Sequence, residues 1–492
     1  MLVSLIKKNT KILFVILSIA FIIPSILYLI KNGTVLGFEN YYNFFIDDGE
    51  NKILSTMVYL IFFLSLSAIY LYFINKNDSF KNIKQLLIYI AGVSIIFLAM
   101  LPWHSSDIFY YMGVGELNSV YGQNPYYETI KKYVDDNPEV IEKDSIMKQG
   151  NINFWSNVTV VYGPVAQLIF SGISKISFKN VNFCLLLFKI LNLIVHLLNC
   201  YLIYKITKKK IFSVIYGLNP YILMEFLGMV HNDIVVVLFV LLAFYFLKKK
   251  KNIFASIIFL AIATGIKYFT ILLLPILVLY HFRNEKTIVK RLLKCIIYGM
   301  LFVAIMLAEY AFYYKNMNIF TAMMVQNEKL SKSLYSSLVG IGVLRKTHYI
   351  TIFGKIIYLG EVASFFRKII FIFFVITYIK FCIDLLTTKN IKLVNALRKY
   401  NLELIIFLFT LGTFQQWYLL WLFATIFWQK PNMIRNIIGI SLASEIANTI
   451  YMFKVESYIY DVFFLLIMAI VFIIWKICTN KKKKSIDIPL LK

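Results

Sequence analysis

Apolar runs of about 17–25 residues recur along the whole 492-residue chain, each long enough to cross a hydrocarbon core of about 30 Å as a helix. Overall, 60% of the residues are hydrophobic and only 15% are charged. A soluble domain averages about 45–50% apolar and about 25% charged residues. The sequence therefore predicts an all-α, polytopic membrane protein with about 12–15 transmembrane helices.

The formal net charge of +26 raises the question of nucleic-acid binding, but the distribution of the charge argues against it. The lysines cluster in short connecting loops, at 81–84, 206–210, 248–251 and 481–484. Enrichment of Lys and Arg in short loops marks the cytoplasmic side of a membrane protein. We therefore predict a bilayer and no nucleic acid as partner, with both termini in the cytoplasm.

Threading the chain through the membrane from these loops predicts five regions, although the alternation fails between 161 and 247. The outer loop 103–160 is rich in carboxylates and aromatic residues and longer than most helix connections, so we expect it to carry function and short amphipathic helices. The regions are 1–102 with spans one to three, the extracytoplasmic catalytic loop 103–160, the membrane core 161–313, the second extracytoplasmic loop 314–352, and 353–492 with the C-terminal spans and basic cytoplasmic tail.

Asp107 is the first candidate for chemistry, because it follows the third predicted span by about one helical turn within WHSSDIFYYM. A carboxylate fixed at the membrane surface can take a proton from a hydroxyl nucleophile or stabilise positive charge on a sugar ring. A helix cap or a solvated loop carboxylate is the alternative. The residue alone does not decide between them.

The triplet His231, Asn232 and Asp233 stands at the head of another predicted span. Three polar side chains there are costly to bury and must face partners or water. Helix capping by Asn or Asp explains one of them but not all three. Histidine at this position can act as a hydrogen-bond donor, a base or a metal ligand.

Lys267 interrupts an apolar run at ATGIKYFTILLLP, just after Gly265. A lysine inside such a run predicts a function, with phosphate binding the favoured one, although snorkelling to the surface is the alternative. The sequence predicts water or an anion beside its ammonium group. It also predicts that Lys267→Met folds normally, since a buried charge is removed.

Two further sets of polar residues flank the later spans. Gln416 and Trp417 lie at a break in the run 402–428, and Arg345 lies in the second outer loop, where it could hold a phosphate. No metal-binding motif or Asp-x-Asp-like pair occurs in the outer loops, so we expect no cofactor and a metal-independent reaction. The five cysteines lie in or beside apolar runs, where packing is their expected role.

Several of these motifs occur in one order that resembles the multi-spanning GT-C glycosyltransferases. In particular, the chain resembles the bacterial polyprenol-phosphate-mannose-dependent mannosyltransferases over roughly 100–430. The motifs that carry the resemblance are SSDIFYYMGVGELNSVYGQNPY (105–126), VYGP (161–164), LNP (218–220), HND (231–233), the Lys267 segment and QWYLLW (416–421).

The resemblance implies transfer of a hexose, with mannose favoured, from a polyprenyl-phosphate donor to a cell-surface glycan or lipid acceptor. Transfer would occur on the extracytoplasmic face of the cell membrane, with inversion and with Asp107 as general base. The residues expected to bind substrate are His104, Tyr110, Tyr111, Asn124, Tyr126, Tyr162, His231, Asn232, Asp233, Lys267, Arg345, Gln416 and Trp417.

Two other functions fit the same features. A transporter or flippase of lipid-linked saccharides also needs interfacial cations and broken helices, but the chain shows no convincing paired repeat of the kind common in transporters. A non-catalytic subunit of an assembly that makes surface polymers is the second alternative.

Overall fold

The structure is a computed structural model that describes residues 2–32, 51–75, 80–344, 349–352, 355–451 and 457–481. Its regular elements are almost all helical, which confirms the predicted all-α class. The only strands in these ranges are β1 (Tyr349–Ile352) and β2 (Lys355–Tyr358), which pair antiparallel with Tyr349 opposite Tyr358.

The α-helices run in chain order as follows. The first eleven are α1 (Leu2–Asn32), α2 (Asn51–Asn75), α3 (Ile83–Leu98), α4 (Asp107–Ser119), α5 (Ile130–Asp136), α6 (Val140–Lys143), α7 (Ser145–Asn151), α8 (Pro164–Lys175), α9 (Val181–Thr207), α10 (Lys210–Gly217) and α11 (Pro220–Ile222). The others are α12 (Asp233–Tyr245), α13 (Ile253–Thr264), α14 (Leu274–His281), α15 (Ile288–Tyr310), α16 (Thr321–Glu328), α17 (Leu334–Leu344), α18 (Leu359–Thr387), α19 (Leu393–Thr410), α20 (Leu420–Phe423), α21 (Pro431–Tyr451) and α22 (Ser457–Lys481).

Shorter irregular helices join several of these elements. Two are π-helices and four are 3₁₀ turns within the described ranges. They are the π-helices Leu223–Gly228 and Phe246–Lys250 and the 3₁₀ turns Tyr268–Leu273, Met317–Phe320, Gln416–Leu419 and Ile426–Trp428.

Six helices in the described part of the chain are long and apolar enough to cross a membrane, or seven if the bent pair of α10 with Pro220–Gly228 is one span. This supports a multi-pass membrane protein but is fewer than the 12–15 spans predicted. The reason is that several predicted spans form short or broken helices, including α3, α13 and 268–281. The six spans are Asn9–Ile30, Met57–Asn75, Val181–Thr207, Ile288–Tyr310, Leu359–Thr387 and Tyr460–Ile477.

The long loop 103–160 does carry short helices, α4 to α7, as predicted. However, α4 is not an amphipathic surface helix, because its residues from Ile108 to Leu117 are all buried. Glycines allow this close packing: a Cβ at Gly115 would lie 2.5 Å from the Phe170 carbonyl oxygen of α8, and one at Gly113 would lie 3.2 Å from the Gly150 Cα of α7.

The chain divides into two compact units, which we call the first and second units. The first comprises 1–245, 261–270 and 305–323, and the second comprises 246–260, 271–304 and 324–492. In the first unit, Cys184 and Cys200 are buried and free, so their predicted packing role is confirmed. All segments that deliver the charged motifs near Asp107 belong to the first unit.

Side-specific cysteine labelling tests the predicted orientation of the loop 103–160. In a variant without the five native cysteines, Asp136→Cys should react with a membrane-impermeant maleimide in intact cells, because Asp136 is exposed on the short helix α5. The matched control is Lys249→Cys in a basic loop, which should react only after permeabilisation. Reaction of Asp136→Cys only after permeabilisation would reverse the assigned orientation.

Candidate active site

Three segments of the first unit bring charged side chains together, and each lies where a helix begins or ends. The first precedes and starts α4, the second links the π-helix Leu223–Gly228 to α12, and the third follows α13. Helix ends carry backbone groups without intrahelical partners, so polar side chains and ligands are favoured there. The site is therefore built from the interruptions between helices.

Asp107 is the first residue of α4, where the partial positive charge of the helix N-terminus favours a carboxylate. The Trp155 side chain donates a hydrogen bond to this carboxylate, and Nδ1 of His231 lies 3.7 Å from its Oδ2. Burial raises the pKa of the Asp107 carboxyl above its ordinary value, while the positive influence of His231 and Lys267 opposes the rise. The carboxylate is thus a stronger base than an exposed aspartate.

Glu225 was not among the predicted site residues, yet its fully buried carboxylate lies between two histidines. Its Oε2 is 3.2 Å from Nε2 of His231, and its Oε1 is 3.7 Å from Nε2 of His104. The side chains His104, Glu225, His231 and Asp107 therefore form a continuous series of acids and imidazoles. A glutamate within the apolar stretch LMEFLG is the sequence signal that could have identified it.

The backbone around His231 is bent into an uncommon conformation. Glu225 lies in the π-helix Leu223–Gly228, and Val230 has a φ of 66°. Positive φ is a genuine outlier for a β-branched residue, and such strain costs of order 1–3 kcal/mol and concentrates at functional sites. The amide of His231 donates to the Glu225 carbonyl at 3.2 Å, so this turn also fixes the two side chains relative to each other.

Lys267 has a carboxylate partner in the structure. This carboxylate is the anion that we predicted beside the ammonium group, because a lysine in an apolar run needs water or an anion nearby. Its Nζ lies 3.4 Å from Oδ2 of Asp233 and 5.0 Å from the centre of the Tyr162 ring. The Asp233 side chain is fully buried, whereas Lys267 retains 14% exposure. The Lys267 side chain is therefore paired with a buried carboxylate and remains partly exposed.

The break after α13 is fixed by contacts with the start of α8. The carbonyl of Gly265 accepts hydrogen bonds from Val165 at 2.9 Å and Ala166 at 3.3 Å, two N–H groups in the first turn of α8. A Cβ at Gly163 would come within 2.3 Å of the same carbonyl oxygen, so only glycine permits this approach. These contacts join the VYGP motif directly to the Lys267 segment.

The predicted tyrosines and Asn124 use their polar groups mainly in hydrogen bonds to other residues of the chain. Tyr111 and Tyr162 contact through their hydroxyls at 3.3 Å, and Tyr126 donates to the Tyr162 carbonyl at 2.9 Å. Tyr110 donates to the Val158 carbonyl at 3.0 Å, and Asn124 donates to that of Tyr313 at 2.7 Å. These bonds position the loop, and only the half-buried Tyr162 faces the Lys267 ammonium.

Asn232 differs from its neighbours because both polar atoms of its amide are buried and have no hydrogen-bond partner within the described ranges. The expected helix cap is therefore not formed by this side chain. Buried amides are nearly always hydrogen-bonded to protein or water. Asn232 lines a crevice together with Tyr111, Val230 and Ile266, where a bound hydroxyl would satisfy it.

Two predicted site residues belong to the second unit, and a third is outside the described part of the chain. Gln416 and Trp417 belong to the second unit, in which Gln416 lies 3.5 Å from the Nζ of Lys332. That ammonium also donates to Asn448 at 2.8 Å, so the second unit has its own buried polar cluster. Arg345 lies outside the described residues. The first-unit group of Asp107, the HND triplet and Lys267 is the one that the structure brings together.

The arrangement places a carboxylate, an imidazole and an ammonium group close to one another. Asp107 can accept a proton, His231 backed by Glu225 can receive or stabilise it, and Lys267 can neutralise an anion. The contacts described above join three carboxylates to three side chains that can carry positive charge. They are Asp107, Glu225 and Asp233, and His104, His231 and Lys267. This combination fits a reaction in which a hydroxyl loses a proton while an anionic group departs.

Comparison with known families adds an independent finding. The family model described as alpha-(1→6)-mannopyranosyltransferase, N-terminal domain, matches residues 25–283, which is just over half of the chain. The matched range contains Asp107, Glu225, the HND triplet and Lys267. No curated protein and no solved structure matches the chain.

The ion pair between Lys267 and Asp233 revises the expectation that Lys267→Met folds normally. Removing one partner of a buried pair costs about 3–5 kcal/mol, and the partial exposure of Lys267 places the expected loss near the lower end. We predict a lower melting temperature for Lys267→Met in detergent and recovery of most of the loss in Lys267→Met/Asp233→Asn.

The control for this prediction is Lys399→Met, whose partner Asp384 forms a pair at 3.0 Å with both side chains about half exposed. An exposed pair contributes about 0–1 kcal/mol, so this variant should melt close to the parent. Equal melting shifts for Lys267→Met and Lys399→Met would contradict a stabilising role of the buried pair.

Proposed function

The chain belongs to this alpha-(1→6)-mannopyranosyltransferase family, and we propose that it transfers mannose from a polyprenyl-phosphate donor to a glycan or lipid acceptor. The transfer takes place at the extracytoplasmic face of the membrane, with both termini in the cytoplasm. Asp107 acts as the general base, and the sugar inverts at its anomeric carbon. The enzyme is of the GT-C type.

The observation that carries this proposal is the position of Asp107 against His231. An acceptor hydroxyl beside the carboxylate gives its proton to Asp107 as its oxygen bonds to the anomeric carbon. The bond from that carbon to the phosphate oxygen breaks, and the electron pair leaves with the phosphate. Attack opposite the leaving group inverts the configuration, as in other inverting sugar transfers that use a carboxylate base.

His231 and Glu225 support the base in this scheme. The neutral imidazole, 3.7 Å from the Asp107 carboxylate and 3.2 Å from Glu225, can accept the proton of Asp107 after transfer. The imidazolium that results stabilises the recovered Asp107 carboxylate until it releases the proton to water. Glu225 fixes the orientation of the ring, as carboxylates do for catalytic histidines. The pair thus returns Asp107 to its ionised state.

Lys267 neutralises the departing phosphate in the proposed reaction. Its ammonium is the partly exposed cation of the group, and its charge acts on the Asp107 carboxylate. Positive charge aimed at a leaving phosphate stabilises the charge that develops in the transition state. Since Lys267 supplies this charge, the proposal assigns no metal ion to the step.

The test of the proposed function is a donor screen with purified protein in nanodiscs. Radiolabelled mannose should pass from polyprenyl-phosphate mannose to a mannoside or lipid-mannoside acceptor, without transfer from the nucleotide sugar GDP-mannose and without sensitivity to EDTA. Movement of the intact lipid-linked sugar across liposomes, with no product bond formed, would instead identify a transporter. Transfer from GDP-mannose alone would refute the proposed donor class.

Asp107→Asn should reduce the rate of transfer by about 10²–10⁴-fold, because the amide does not accept the proton of the acceptor. The melting temperature should stay near that of the parent, since the shape of the side chain is kept. Asp135→Asn is the matched control: this carboxylate lies in the same loop but is 55% exposed on α5, so its loss should leave the rate unchanged. A rate for Asp107→Asn near that of the parent would remove Asp107 from the role of base.

The pH profile gives a separate prediction. Since the base must be ionised, kcat/KM should fall as the pH drops through the Asp107 pKa, which burial places above the ordinary aspartate value. Lys267 favours the ionised form, so Lys267→Met should raise this pKa further and move the acid limb of the profile to higher pH. A limb that stays fixed or moves to lower pH would show that Asp107 is not the group being titrated.

A further inference from the structure

Lys189 is the ninth of the 27 residues of the span α9 and is buried, with 2% exposure. Its Nζ donates to three backbone carbonyls: Met100 at 2.7 Å, Leu227 at 2.9 Å and Gly228 at 3.0 Å. None of these carbonyls belongs to α9. Among the described residues, no carboxylate is in ion-pair contact with this ammonium.

The three acceptors come from the two segments that carry Asp107 and His231. Met100 lies two residues beyond the end of α3 and begins the stretch that leads to Asp107. Leu227 and Gly228 end the π-helix that presents Glu225 and continues to His231. One side chain thus ties together both backbones that deliver the acid and the imidazole.

Asn192 extends the same contact one turn along the same face of α9. Its amide nitrogen donates to the carbonyls of Phe226 at 2.8 Å and His231 at 3.2 Å. Val230, with its positive φ, lies between these acceptors. Strained backbone persists only where its surroundings over-determine it, and here Lys189 and Asn192 hold the chain on both sides of the strained residue.

The position is costly for a lysine. A charged side chain at the centre of a membrane helix costs about 2.5–3.5 kcal/mol on insertion scales, and such residues mark function by default. Methionine would fill nearly the same volume without that cost. What it lacks is the ability to donate three hydrogen bonds to two separate segments.

We infer that Lys189 is a positioning residue for the transfer reaction: it sets the distance between Asp107 and His231 by binding the backbone of both segments. The inference rests on the proposed function. Lys189 does not touch the reacting atoms in this account. It acts through the two segments, so its loss should change the rate of the chemical step more than the binding of substrate.

Lys189→Met should lower kcat by about 10–100-fold with little change in the KM for donor, because a misplacement of about 1 Å at a reacting group can cost about 10²-fold. Asn192→Leu, which loosens only the second segment, should lower kcat less and provides a second variant if Lys189→Met fails to fold. In a His231→Asn background, Lys189→Met should lower kcat by less than about threefold, since residues that act through one another are not additive.

The matched control is His196→Phe. His196 lies on the same face of α9 and is fully buried, and its Nε2 contacts the carbonyl of Gly217 at 3.1 Å, which ends α10 and carries none of the charged group. This variant should lose stability without a comparable loss of kcat. Equal falls of kcat in Lys189→Met and His196→Phe, or additivity of Lys189→Met with His231→Asn, would overturn the inference.

Amide hydrogen exchange in nanodiscs separates this inference from the proposed function. Lys189→Met should speed exchange in peptides covering both 100–107 and 225–233, whereas His196→Phe should affect neither. If the parent transfers no mannose from polyprenyl-phosphate mannose, the proposed function fails, and faster exchange in both peptides still supports the tie between the segments. Unchanged exchange in either peptide overturns it.

Discussion

The arrangement of the first unit depends on the pairing of its buried carboxylates with histidines and a lysine. Asp107, Glu225 and Asp233 lie in or beside apolar spans, where a carboxylate without a partner is expensive. His231 lies between the first two, and Lys267 offsets the third. Because Asp107 contacts His231, Glu225 contacts His104 and Asp233 contacts Lys267, each carboxylate has a partner from another segment, and the three segments must meet.

The helix interruptions follow from this requirement. Gly265 ends α13 and lends its carbonyl to the first turn of α8, while the π-helix Leu223–Gly228 turns Glu225 towards His231. Irregular backbone at membrane depth is tolerated only where it is buried in protein or lines a cavity. The same breaks that would weaken a simple span here place a base, an imidazole and an ammonium within one group. The helix interruptions therefore determine both the fold around these residues and the chemistry that we propose for them.

Much of the candidate site was predictable from sequence, because costly polar residues stand out against apolar runs. Asp107, the HND triplet and Lys267 were all identified in this way, and the structure brings them together. The partner of each was not predictable, because pairing depends on distances between segments far apart in sequence. Glu225 and Lys189 were not predicted as site residues. Each is a lone charge in an apolar stretch, but their importance depends on partners in segments that are distant in sequence.

Other differences have equally local causes. The length and polar composition of the loop 103–160 led us to expect amphipathic helices on the membrane surface, but Gly113 and Gly115 let α4 pack closely against its neighbours. Runs of apolar residues predicted 12–15 spans, whereas several of these runs, such as Ile83–Leu98, Ile253–Thr264 and Tyr268–His281, form helices shorter than a full span.

The central claim is a single displacement in which Asp107 deprotonates the acceptor opposite the departing phosphate. The anomeric configuration of the product, determined by NMR after transfer from a polyprenyl-phosphate mannose of defined configuration, tests it most directly. One carboxylate base acting on the acceptor predicts a mannoside of the opposite configuration to the donor. A product that retains the donor configuration would require a covalent or doubly displaced intermediate and would contradict the account.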